Sequence, residues 1–170
     1  MIELKNKSPN LLVIGDLMID QYFWGKSERI SPEAPVQVIN VSNESMVLGG
    51  AGNVINNLKV LGSNVDVISV IGNDENAIKL KDLLISINVG TKYLITEDNR
   101  ITSKKSRVIA SQQQVVRYDR ESIDEITALS QKLMLETFKK IINNYDIVLI
   151  SDYGKGVLST KLTQSIMNVS

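Results

Sequence analysis

The sequence predicts an α/β fold: a doubly wound parallel sheet joined to a small antiparallel β-sheet. Three observations carry the prediction. Short continuous apolar runs, NLLVIG at 10–15, VDVISVI at 65–71 and DIVLI at 146–150, have the length and composition of strands buried on both faces. Segments with a helical apolar stripe lie between them, the alternation that builds parallel sheets. Residues 92–120 then break that alternation with three short stretches of period two.

In chain order, residues 10–15 close on Gly-Asp and form the first central strand. Residues 35–42 set Val36, Val38 and Val41 against Gln37, Asn40 and Ser42, with Pro32 and Pro35 at the start, where a strand tolerates proline. Such a strand is half exposed. Ala51, Val54, Ile55, Leu58 and Leu61 share one helical face, and Gly62 is placed to end the helix. After the strand at 65–71, Asn73-Asp74-Glu75 offers a negatively charged cap to a helix carrying Ala77, Ile78, Leu80, Leu84 and Ile87, stopped near Gly90. KYLIT, SRVIA and QVVRYD, separated by turns at 97–99 and 111–113, predict the small antiparallel sheet, joined by the strand at 35–42. A helix over 124–143, the strand at 146–150, a polar loop over 151–156 and a helix from Ser159 or Thr160 complete the chain. That last helix has no returning strand, although a parallel crossover requires one. The expectation is therefore a shortened domain: one unit over 1–170, with sheet segments at about 33–47 and 91–121 standing off the core and the rest of the domain beyond Ser170.

Composition narrows the chemistry. Apolar residues make up 43% of the 170 and charged ones 22%, enough apolar surface for a core. Lys plus Arg is 19 and Asp plus Glu is 19, so no net field attracts nucleic acid or an anionic membrane. The chain has no Cys and no His, which removes thiol chemistry, zinc sites and His-assisted nucleophiles. No metal site is expected. Lys5 and Lys7 precede an apolar run that stops at Gly15, with no cleavage signal and no membrane-spanning length, so a cytoplasmic location is expected.

Ligands of open parallel sheets bind beyond the carboxyl ends of the strands. Two polar loops occupy that place, 15–20 and 151–156. Asp16 and Asp20 are acceptors for sugar hydroxyls, or Asp16 caps a turn. Gly49-Gly50-Ala51-Gly52-Asn53 opens a helix where backbone N–H groups are approachable, or is simply a turn. The same segment imitates a dinucleotide fingerprint, but Ile55 stands where the third glycine belongs and no acidic residue closes the next strand. No GxxxxGK[ST] loop exists. Lys104, Lys105, Arg107 and Arg117 fall in the interrupting sheet, with 105 and 107 on one face: a phosphate site or a solvated face.

GDLMID, GGAGNVINNL and IGNDENA, in that order around an inserted β segment, resemble the ribokinase or PfkB family of sugar kinases. SERISPEAPVQVINV, SRVIASQQQVVRYDRE and LISDYGKGVL resemble its heptose 7-phosphate kinase branch, often fused to an adenylyltransferase.

The resemblance implies a ribokinase-like domain with a β-sheet lid that closes over the sugar and supports a homodimer. It implies transfer of the ATP γ-phosphate to the anomeric hydroxyl of heptose 7-phosphate, in ADP-heptose and lipopolysaccharide core synthesis. Asp16 and Asp20 would contact sugar hydroxyls; Gly49, Gly50 and Asn53 would line the pocket at the lid hinge; Lys105, Arg107 and Arg117 would meet the existing phosphate; Asp152 and Lys155 would face the sugar. The family's GAGD segment, with the general base and anion hole, and its magnesium-associated NxxE motif have no counterpart in residues 1–170. The expectation is a sugar-binding half with no catalytic residue of its own, inactive alone and binding neither ATP nor Mg²⁺, which the full-length enzyme would use. Another PfkB-family sugar or sugar-phosphate kinase, an NAD-dependent oxidoreductase and a non-catalytic module dimerising through its β-lid edges are the alternatives.

Overall fold

Side chains alternate across a strand, so an all-apolar run needs cover on both faces. The computed structural model, which describes residues 8–169, shows that cover. Lys5 and Lys7 lie outside the described residues. Strand β1 (Asn10–Gly15) directs Leu11 and Val13 to one core, shared with Ile55 of α1 (Ala51–Val60) and with Leu80 and Leu84 of α2 (Glu75–Ser86). Leu12 and Ile14 face a second core, shared with Met134 and Phe138 of α3 (Ala128–Ile141) and with Leu162 and Ile166 of α4 (Thr160–Met167). This is the doubly wound arrangement.

The remaining strands are β2 (Leu17–Ile30), β3 (Gln37–Gly50), β4 (Asn64–Gly72), β5 (Leu94–Glu97), β6 (Lys104–Ala110), β7 (Gln113–Arg120) and β8 (Ile147–Ser151). The core sheet has the order β5-β4-β1-β8, all pairs parallel. The second sheet has the order β3-β2-β6-β7. Local chemistry sets the boundaries. Asp74 caps α2 by accepting the Ala77 N–H at 2.9 Å, Thr127 and Ser159 cap α3 and α4, and Gly62, at φ 90°, turns the chain out of α1.

Three expectations require correction. The segment after Gly15 is not a loop: Leu17 begins a 14-residue strand whose first three residues are buried. Bulges at Trp24/Gly25 and Ser27/Arg29 break its alternation, which hides it from a period-two reading. KYLIT does not join the second sheet, because β5 pairs in parallel with β4 in the core. The second sheet is mixed rather than antiparallel, since β2 lies between β3 and β6 and runs parallel to β6. The second sheet is thus built from 17–30, 37–50, 104–110 and 113–120, with Leu17, Ile19 and Leu48 packed into the first core.

Candidate functional site

β1 ends at Gly15, and a side chain there would collide with the Ser151 carbonyl of β8. Asp16 follows, its N–H donating to Ser151 O at 3.1 Å and its carbonyl accepting from Ala51 N at 2.9 Å. The ends of β1 and β8 and the start of α1 are thereby drawn together, at the root of the second sheet.

Asp16 itself is 1% exposed. Its carboxylate accepts backbone N–H bonds from Tyr153 at 2.7 Å, Lys155 at 3.2 Å and Val157 at 3.2 Å. These bonds give Asp16 the turn-capping role that the sequence set beside a sugar contact, tying it to the loop after β8. Asp152 does similar work locally, accepting the Gly154 N–H at 2.8 Å while remaining exposed.

Asp20 is presented differently. It lies near the start of β2, directly across from Val47 and Lys105, and Lys105 is in turn across from Asp119. Residues directly across a pleated sheet share a face, so the adjoining row, Ser45, Tyr22, Arg107 and Arg117, stands on the same side. Arg107 Nη1 donates to Asp20 Oδ1 at 2.6 Å, and its guanidinium lies 5.2 Å from the centre of the Tyr22 ring. The other Asp20 oxygen lies over Gly49, where a β-carbon would strike it. Gly49 is thus the space in which that carboxylate sits. The hydrogen bond that Arg107 donates to Asp20 is the leading cause that raises the Arg107 pKa above its ordinary value, against a smaller desolvation effect.

The remaining cations are matched by carboxylates. Lys105 Nζ donates to Asp119 Oδ2 at 2.9 Å and to Glu121 Oε2 at 3.2 Å. Lys155 Nζ, from the loop after β8, donates to Glu121 Oε1 at 2.7 Å. Arg117 forks onto both oxygens of Asp119, at 3.1 and 2.9 Å, from a half-exposed position. Burial would raise the Glu121 pKa, but the hydrogen bonds from Lys155 and Lys105 outweigh it and hold the group below its ordinary value. For Asp119 the hydrogen bond from Lys105 leads, with the same net direction.

The structure therefore gathers Asp20, Gly49, Lys105, Arg107 and Arg117 on one sheet face and ties Lys155 to them through Glu121. Gly50, at φ 56°, is the N-cap of α1, and Asn53 is exposed in that helix's first turn, which no side chain caps. Three contributors were missed in the sequence. Asp119 and Glu121 continue the odd-numbered alternation of Arg117, a signal present in RYDRE. Arg100 carried no such signal; it is buried, donating Nη1 to Asp124 O at 3.1 Å and Nη2 to Lys155 O, beneath the loop.

A polar hollow of about 410 Å³ among Asn10, Asn64, Asp66, Lys92 and Tyr145 lies at the amino ends of β1 and β4, opposite these loops. Chemistry and strand polarity, not the size of a hollow, place the site. Among the described residues no three Asp, Glu, His or Cys side chains converge. No helix among them is long and apolar enough to cross a membrane.

Comparison with known proteins identifies the family and the fold. The bifunctional protein HldE of Aliarcobacter butzleri is 64% identical over 165 residues, 97% of this chain and 35% of that protein. Its counterparts in Sulfurimonas denitrificans and Helicobacter hepaticus are 53% and 47% identical, over 97% and 99% of the chain. The chain spans 35% of the length of each of these relatives. Among solved structures, a putative phosphofructokinase from Staphylococcus aureus superimposes with a TM-score of 0.71 at 16% identity, covering 94% of this chain and 49% of that one. Arabidopsis thaliana ribokinase complexed with ribose and ATP gives 0.56 at 15% identity, covering 85% and 45%. Both show the shared fold. The family profile for pfkB family carbohydrate kinases matches residues 8–169, from the strand before Asp16 through the last helix, and the chain belongs to that family.

Proposed function

We propose that this chain forms the sugar-binding side of a kinase acting on heptose 7-phosphate. The observation that carries the reading is the Asp20 carboxylate, set over Gly49 and held by Arg107 at the sheet root, with Lys105, Arg117 and Lys155 around it. A carboxylate accepts sugar hydroxyls, and the surrounding cations suit a phosphate monoester. The identity to bifunctional HldE proteins supports the heptose branch over other sugar or sugar-phosphate kinases.

In the parent reaction the anomeric oxygen forms a new bond to the ATP γ-phosphorus, the bond to the bridging oxygen breaks and ADP leaves. The hydroxyl proton passes to a base. The family's GAGD segment, whose Asp takes that proton, has no counterpart in residues 1–170, and positioned general bases contribute about 10²–10⁴-fold. This chain alone therefore binds sugar phosphate without useful turnover, and ATP and Mg²⁺ are handled by other residues of the full-length, cytoplasmic enzyme. Asp16 sets the loop carrying Asp152 and Lys155; Asp20 orients the sugar.

The second sheet supplies the lid and a homodimer contact. Its edge strands β3 and β7 are largely exposed and carry Val41, Val47, Val115 and Val116, a surface suited to edge pairing with a second copy.

The test is a thermal-shift experiment with heptose 7-phosphate. The unfolding temperature of the wild type should rise and that of Asp20→Asn should not. An equal rise in both would remove Asp20 from the site.

A further inference from the structure

Glu121 holds two cations that reach it from different parts of the fold. Lys105 arrives from β6 of the second sheet and Lys155 from the loop that follows β8 of the core sheet, and each takes a separate oxygen of the one carboxylate, at 3.2 and 2.7 Å. The lysine side chains are 13% and 19% exposed and Glu121 is 15% exposed, so the three charges are poorly screened by solvent. Glu121 stands just beyond the end of β7, in a stretch without helix or strand that leads to α3, and its side chain is not fixed by a ladder. A carboxylate bridging two ammonium groups has the outline of two oxygens of a phosphate group, with less charge. A phosphate monoester carries about −1.5 to −2 near neutral pH and offers three acceptor oxygens.

We propose that Glu121 is an internal counter-anion, occupying the Lys105–Lys155 pair until the phosphate of the sugar substrate displaces it. It thereby sets the affinity of the site for its phosphate, a role that rests on the sugar-phosphate reading above. An unphosphorylated sugar cannot outcompete the carboxylate and leaves the lysines paired. A dianionic phosphate takes Lys155 and shares Lys105 with Asp119, which holds that lysine at 2.9 Å, releases Glu121 and binds the second sheet and the core loop through one ligand. The carboxylate lowers affinity for every anion and keeps the two lysines neutralised while the site is empty.

The experiment is calorimetric titration of the wild type and Glu121→Gln with inorganic phosphate, heptose 7-phosphate and unphosphorylated heptose, with Glu121→Ala as a second variant and circular dichroism to show that each is folded. Removing one nearby charge should tighten phosphate and heptose 7-phosphate binding on the order of tenfold and leave heptose unchanged. Adding Lys105→Met to Glu121→Gln should abolish the gain. Phosphate binding that is unchanged or weaker in both Glu121 variants would overturn the inference, since Glu121 would then be orienting the lysines. A gain with inorganic phosphate but no heptose 7-phosphate binding in any protein would uphold the counter-anion and dismiss the heptose reading.

Discussion

Asp16 and Asp20 stand four residues apart in one motif, and burial separates their roles. Asp16 gives its oxygens to three backbone N–H groups. Asp16→Ala would leave those donors without an acceptor and should cost about 3 kcal/mol, read as a lower urea midpoint with faster hydrogen exchange at Tyr153, Lys155 and Val157. Gly49→Ala tests the other carboxylate: the added carbon would displace Asp20, abolishing the sugar-phosphate thermal shift. The sequence showed which residue types crowd this site, but not which would be consumed internally. Lys105, Arg107, Arg117 and Lys155 proved to be paired: Arg107 holds Asp20, and Asp119 and Glu121 meet the other three only once β6 and β7 are in register and the loop after β8 is in place.

Helices and core strands were legible because their periodicity is local. Ala51–Val60, Glu75–Ser86 and Thr160–Met167 lie close to where apolar stripes and caps placed them. β2 was hidden by its bulges, and the partner of β5 was hidden because four residues can pair with either sheet. Tertiary contacts decided both. The two faces of α3 give a test at this scale. Phe138 is fully buried against the second core while Leu133 is 40% exposed. Phe138→Ala should destabilise by about 3–5 kcal/mol and Leu133→Ala by about 0.5 kcal/mol or less, measured by urea unfolding.

Across the molecule, carboxylate contacts tie the two sheets and the helical layers together. Glu97, at the end of β5, accepts the Thr127 N–H at 2.9 Å and the Thr127 hydroxyl at 2.8 Å where α3 begins. Burial would raise its pKa, but hydrogen bonds from Ser130 and Thr127 outweigh it and leave the group below its ordinary 4.5. Asp119 and Glu121 are depressed likewise, from 3.8 and 4.5. A carboxylate with a depressed folded pKa stabilises the protein above its unfolded pKa and loses that contribution as pH falls through the folded value. Unfolding midpoints should therefore drop as pH is lowered below about 4.5, less steeply in a Glu97→Gln, Glu121→Gln double variant. With no His in the chain, stability should be nearly flat between about pH 6 and 8. The most direct test of the central claim is calorimetric titration of this polypeptide with heptose 7-phosphate, ribose 5-phosphate and Mg·ATP in parallel. Selective heat from heptose 7-phosphate and none from Mg·ATP is the predicted result; on a folded sample, binding of Mg·ATP alone, or equal binding of both sugar phosphates, would contradict it.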